Sequence, residues 1–256
     1  MVNYGTPLQG KVAVITGGGQ GVGFSIAEEF IAQGARVAIT DLDPDHLSAS
    51  AAALGKSAIG IVADVRDEAA MTAAYLEIVE RLGSVDIVVA NAVVGDSNPL
   101  GRITEKQFNN VFDTNVKGVL FTVQPAITHM TGGGSIVIVS STASVKGSEG
   151  MSLYGGAKAA LRSMIRSWVL ELRGTGIRVN VLTSGAVDTP SLRSALAGAI
   201  GEDHVDKAVK DMGDGSPLGR LLRPREIGTA IAFLASEASS AITGAELFAD
   251  GGLAQV

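Results

Sequence analysis

The chain reads as an α/β protein built on a doubly wound parallel sheet, and three observations predict this. Short β-branched runs alternate with longer stretches whose apolar residues recur at helical spacing. The runs are continuously apolar, as strands buried on both faces are. The segments between them are mostly ten or more residues long, enough for the helical crossovers that parallel strands need.

In order, Val12–Thr16 (VAVIT) is the first strand, bounded by glycine. Gly21–Gln33 sets Val22, Ile26, Ala27 and Phe30 at helical spacing. Arg36–Thr40 is the second strand and Asp45–Leu54 a helix. Ala58–Ala63 is the third strand, followed by a helix over Glu68–Leu82. Ile87–Asn91 is the fourth strand, and one helix is predicted over Glu105–Met130. After a turn at Gly132–Gly134, Ser135–Ser140 is the fifth strand, Leu153–Leu172 a long helix and Arg178–Thr183 the sixth strand. A variable segment runs from Ser184 to Gly219, and a helix over Arg225–Ala235 and a strand at Glu246–Ala249 close the chain. No proline- or serine-rich linker and no short repeat interrupts this order, so residues 1–256 read as one domain.

Composition narrows the function. Hydrophobic residues at 46% and charged residues at 18% describe a globular chain. There is no cysteine, which excludes disulfides, thiolate metal sites and a cysteine nucleophile, and agrees with a reducing cytoplasm. His46, His129 and His204 are the only histidines and form no close pair, so no metal is expected. A net charge of −6 argues against nucleic-acid binding. No basic region followed by a long apolar stretch marks a leader, and no apolar run approaches the ~20 residues that cross a bilayer. The 33 glycines are in excess, without a three-residue period, and suggest tight turns or backbone brought close to a ligand.

Some of those glycines cluster. Thr16–Gly23 reads TGGGQGVG, leaving a strand and opening a helix. In that setting glycines let backbone approach a pyrophosphate at a helix N-terminus. The spacing is G-x-x-x-G-x-G through Gly17, Gly21 and Gly23, and a ligand-free turn is the bland alternative. Asp41 follows the second strand, where a carboxylate accepts from ribose hydroxyls and repels a 2′-phosphate. No Arg or Lys lies in Gly17–Gly23 or just after Asp41, so NAD is favoured over NADP. Asp41 also reads as a cap of the next helix. Asp64, with Val65 beside it, suits the adenine edge or, equally, a helix cap.

Tyr154 and Lys158 stand four residues apart at the start of the fifth helix, on one face. A cation beside a phenol lowers its pKa from ~10 and suits it to proton exchange with an alcohol or carbonyl. Alone, the pair also reads as a tyrosine stacked on lysine methylenes. Ser140-Ser141 ends the fifth strand 13 residues before the tyrosine, so Ser141 is placed to donate to a substrate oxygen.

TGGGQGVG, VANA, DTNVKG, SS and YGGAK, in this order, resemble the short-chain dehydrogenase/reductase family, and the resemblance extends to TGAELFADGG near the end. It implies a seven-stranded parallel sheet ordered 3-2-1-4-5-6-7 and a tetrad of Asn115, Ser141, Tyr154 and Lys158. Tyr154 would be the acid in ketone reduction and the base in alcohol oxidation. Ser141 would hold the substrate oxygen, and Lys158 the nicotinamide ribose. Asn115 would kink the fourth helix and hold a water in a relay toward Lys158, or simply bond backbone. The implied cofactor cradle comprises Gly17, Gly19, Gln20, Gly21, Val22 and Gly23, then Asp41 and Leu42, Asp64 and Val65, Asn91 and Ala92. Tyr154, Lys158, Ser184, Gly185, Val187 and Thr189 complete it toward the nicotinamide.

Two positions depart from the family pattern. Val93 replaces a glycine after the fourth strand, and a β-branched residue disfavours positive φ, so the loop takes another path there. Ser184 stands where proline is common. Residues 188–219 read as a substrate segment with an apolar side, which suits a ketone or secondary alcohol of hydrocarbon character. Trp168 reads as core, and the family resemblance implies a homotetramer packed partly through its helix. The expectation is an NAD-dependent alcohol dehydrogenase or ketone reductase. The rivals are a 3-oxoacyl-carrier-protein reductase-like enzyme, a dehalogenase of related fold and a non-catalytic dinucleotide-binding scaffold.

Overall fold

The structure, a computed structural model, describes residues 6–256. The strands are β1 (Val12–Thr16), β2 (Arg36–Asp41), β3 (Ala58–Val62), β4 (Ile87–Ala90), β5 (Gly134–Ser141), β6 (Ile177–Ser184) and β7 (Glu246–Ala249). They form one sheet in the order β3-β2-β1-β4-β5-β6-β7, with every pairing parallel. The chain winds outward from β1 to β3, then returns to β4 on the other side of β1. That reversal opens a crevice beyond the carboxyl ends of β1 and β4.

The helices are α1 (Gly21–Ala32), α2 (Pro44–Leu54), α3 (Glu68–Leu82), α4 (Glu105–Phe112), α5 (Gly118–Ile127), α6 (Ser152–Glu171), α7 (Pro190–Ile200), α8 (Val205–Asp214) and α9 (Pro224–Ala235). They cover both faces of the sheet. On one, Val88, Ile136, Ile138, Val179 and Val181 pack against Tyr75 and Ile78 of α3, Val119 and Val123 of α5, and Leu161 and Ile165 of α6. Trp168 packs at the edge of this layer, as expected of a core residue. On the other, Ile15, Val37, Ile39, Val89 and Val137 pack against Ile26 and Phe30 of α1 and Ile227 and Ile231 of α9. Strands buried on both sides have no polar face, which is why their sequence shows no alternation.

Side chains start several helices. Asp43 accepts from the N–H of Asp45 and His46 at the head of α2, and Asp67 from Ala69 and Ala70 at the head of α3. Asp41 and Asp64 are therefore not the caps of those helices.

One expectation changes. The single helix over Glu105–Met130 is instead α4, a π-turn at Asp113–Lys117, and α5. The extra residue of a π-turn relieves a local conflict in an otherwise regular helix. Here Gly118 lies so close to Val65 that a Cβ would sit 2.7 Å from its Cγ2, and Asn115 is drawn toward the loop after β4. The variable segment after β6 holds α7, capped by Thr189 onto the Leu192 N–H, and α8.

Candidate active site

The glycine turn joins β1 to α1. Gly17 has φ +65°, and its neighbours leave no space for a side chain: a Cβ on Gly17 would sit 2.9 Å from the Ala92 Cα. A Cβ on Gly23 would overlap the Gly17 carbonyl. Asn91 fastens the turn to β4, donating from Nδ2 to the carbonyls of Thr16 (3.0 Å) and Gly17 (3.1 Å). The Thr16 hydroxyl accepts from the N–H of Asn91 and Ala92 at 3.1 and 3.2 Å. α1 begins at Gln20 without a side-chain cap and has no acidic residue in its first turn. Its leading N–H groups and the positive end of its dipole are thus left for an anion.

Asp41 braces the turn from β2. One carboxylate oxygen accepts from Gly19 N–H at 3.0 Å, the other from Leu42 (2.8 Å) and Asp43 (3.3 Å). The Ser50 hydroxyl, on α2, donates to the Gly19 carbonyl at 2.7 Å. Asp64 pairs with Arg66 through contacts of 2.7–3.0 Å, and that guanidinium holds its carboxyl below the usual range. Val65 is buried against Gly118.

Ser141, Tyr154 and Lys158 are brought together by β5 and α6. Ser141 ends β5 in register with Ser184 of β6, and its hydroxyl accepts from the Ala143 N–H at 3.3 Å. Lys158 is buried; its Nζ donates to the Val139 carbonyl at 2.8 Å and stands 5.8 Å from the centre of the Tyr154 ring. Burial pushes the Lys158 ammonium down to about 8. Tyr154 moves the other way from the expectation. Burial raises its phenol, and the opposing pull comes from the Ser141 side chain rather than from the lysine. Desolvation disfavours the charged form of each group.

Asn115 is fully buried at the π-turn, and its amide faces Val94. Oδ1 accepts from Val94 N–H at 3.0 Å and Nδ2 donates to the Val94 carbonyl at 2.8 Å. The side chain bonds backbone, in a neighbouring loop. Val93 has no positive φ.

On the far side of the crevice, Ser184 reaches the Ser140 carbonyl at 3.4 Å. A Cβ on Gly185 would meet the Asp250 carbonyl at 2.8 Å, so this strand exit requires glycine. Val187 pairs with Leu222, and Thr189 lies across the crevice from Gly21, where a Cβ on the glycine would be 3.7 Å from the Thr189 methyl. The glycine turn, β5–α6 and the segment after β6 thus meet at one end of the sheet. A shallow cleft of about 530 Å³ lies at the opposite, amino end of β4–β6. Its Arg178 is spent on the carbonyls of Leu234, Ser236 and Ile242, a structural role.

Sequence reasoning missed Thr16, Ser50 and the Val139 carbonyl. Each acts through a partner distant in sequence, and none carries a local signal beyond an ordinary polar or strand residue.

Comparison with known proteins shows the family and the fold. Residues 17–254 match the family described as enoyl-(acyl carrier protein) reductase. The chain is 41% identical to oxidoreductase asL5 of Sarocladium schorii, over 97% of this chain and 98% of that one. It is 37% identical to acetoacetyl-CoA reductase of Synechocystis sp., over 95% and 96% of the two chains. Aldohexose dehydrogenase of Thermoplasma acidophilum superposes with a TM-score of 0.90 at 27% identity, covering 98% of this chain and 96% of that one. The chain belongs to the short-chain dehydrogenase/reductase family, and is an oxidoreductase of alcohols and ketones.

Proposed function

We propose that the protein transfers a hydride between NAD(H) and a secondary alcohol or ketone, with Tyr154 as the general acid and base. The observation that carries this reading is the meeting of Ser141, Tyr154 and Lys158 beside a glycine turn whose helix has no cap of its own.

The residues fit a dinucleotide. Gly17, Gly19, Gln20, Gly21, Val22 and Gly23 would take its pyrophosphate, and Asp41 and Leu42 its adenosine ribose. Asp64 and Val65 would flank the adenine; Asn91, Ala92, Ser184, Gly185, Val187 and Thr189 would line the nicotinamide half. Asp41 already stands against Gly19 with its side chain held by three N–H donors, which supports NAD over NADP. When bound, the cofactor supplies or accepts the hydride.

The chain's own groups handle the proton. Ser141 donates to the substrate oxygen and orients it. In ketone reduction Tyr154 Oη gives its proton to that oxygen; in alcohol oxidation it takes the hydroxyl proton. Its raised pKa keeps the phenol protonated at neutral pH, ready for the reductive direction. Lys158 holds ribose hydroxyls and steadies the phenolate when it forms. Asn115, its amide committed to Val94, serves a relay best through its main-chain carbonyl, where the π-turn disturbs the helical ladder.

A 3-oxoacyl reductase-like activity is the second reading, favoured by the acetoacetyl-CoA reductase relative. Charge weighs against it. Residues 188–219 carry six carboxylates and three Lys or Arg. Each cation is already paired, Arg193 with Asp188 and Asp206, Lys207 with Asp211 and Lys210 with Asp214. An acidic rim repels a phosphate-bearing thioester. A homotetramer in the cytoplasm completes the proposal, supported by apolar Phe108 on α4 and Leu170 on α6 at the surface and by a cysteine-free chain. Steady-state assay of neutral ketones and acetoacetyl-CoA, each with NADH and NADPH, tests all of this but the assembly and location. The proposal expects turnover of neutral ketones with NADH; turnover confined to the thioester or to NADPH contradicts it.

A further inference from the structure

We propose that Val93 is a specificity-determining residue, a fixed apolar wall that selects ketones or alcohols slim and unhydroxylated beside the reacting carbon. This rests on the oxidoreductase reading above. Residues 92–98 cross the crevice from the glycine turn to the start of the tyrosine helix, and the crossing is fastened at three places. Ala92 N–H donates to the Thr16 hydroxyl at 3.2 Å, with its Cα against Gly17. Both backbone groups of Val94 are held by the Asn115 amide at 3.0 and 2.8 Å. Asn98 N–H donates to the Gly150 carbonyl at 2.9 Å, one residue before Met151, whose carbonyl takes the Gly155 N–H.

Val93 sits between the first two fastenings. Its neighbours Ala92 and Val94 are partly buried, yet Val93 is 49% exposed, so its isopropyl group stands out from the loop instead of entering the core. A second exposed valine, Val145 at 55%, follows Ser141 on the adjacent loop, which packs on α6 where Gly155 abuts the Ala143 carbonyl. A loop pinned on both sides of Val93 cannot yield to a bulky substituent. A branched hydrocarbon offers no partner to a substrate hydroxyl, which would lose its water without compensation. A methylene or two of extra room in such a pocket is worth on the order of tenfold in discrimination.

The test compares wild type, Val93→Ala and the isosteric Val93→Thr, measuring kcat/KM with NADH for cyclohexanone, 1-tetralone and dihydroxyacetone. Val93→Ala should raise the tetralone-to-cyclohexanone ratio about tenfold, and Val93→Thr should raise the dihydroxyacetone-to-cyclohexanone ratio. Turnover with both ratios unchanged within about twofold overturns the role of Val93. So does a change confined to the KM for NADH, which would make it a cofactor contact. A wild type that turns over no ketone with either cofactor overturns the oxidoreductase reading itself, and the wall with it.

Discussion

Lys158 shows what the site costs at the level of one residue. Its ammonium is buried and its pKa lowered to about 8 from 10.5. The folded chain therefore binds this proton more weakly than the unfolded chain does. Below pH 8 the penalty is fully present; it fades as pH rises from about 8 to 10.5, where both states lose the proton. Lys158→Met should raise the melting temperature at pH 7 and abolish turnover, and the gain should shrink across that window. Melting curves at pH 7 and pH 10 check it, and a lower melting temperature at pH 7 would contradict the sign. Asp41 is the other informative residue. Asp41→Ser should relax the discrimination against NADPH, and also cost about 1 kcal/mol because Gly19 loses its acceptor. Kinetics with both cofactors and a denaturant titration separate the two effects. A parent that already prefers NADPH would contradict the cofactor assignment.

At the scale of elements, the strands were legible from their apolar runs, and the break in the fourth helix only through the kink that the family resemblance implied at Asn115. Continuous apolar runs such as VAVIT and IVVAN locate strands because the sheet is covered on both faces. The stretch Glu105–Met130 keeps helical apolar spacing through its π-turn, so periodicity alone could not divide it; the π-turn lies where Asn115 bonds Val94 and Gly118 packs against Val65, contacts made across elements. The glycine turn and the tyrosine–lysine pair were readable because both are local in sequence. Thr16 and Ser50 were not, since each bonds a partner from a different element. Likewise the direction of the Tyr154 shift was misjudged, because burial is a property of the fold and not of a spacing of four. Asn115→Ala should unfasten the loop after β4, leaving the Val94 N–H and carbonyl without their partner. A loss of about 1–3 kcal/mol is expected, with faster amide exchange in residues 92–98. Unchanged exchange there would show that the loop is held by something else.

For the whole molecule, the reversal of winding at β1 and β4 is what gathers the pieces. It brings α1, β5, α6 and the segment after β6 to one end of the sheet, while the amino end carries structural bonds such as those of Arg178. Alcohol oxidation should speed up as pH rises, because Tyr154 must first lose a proton that burial holds. A flat pH profile would remove the tyrosine from that role. The most direct test of the central claim follows reduced-nicotinamide absorbance in one assay. It compares wild type and Tyr154→Phe over a panel of neutral ketones, alongside NADH binding by fluorescence. The account predicts NADH-dependent turnover in wild type and a loss of about 10²-fold or more in the variant, with NADH affinity preserved. Turnover near the wild-type rate in Tyr154→Phe would contradict it.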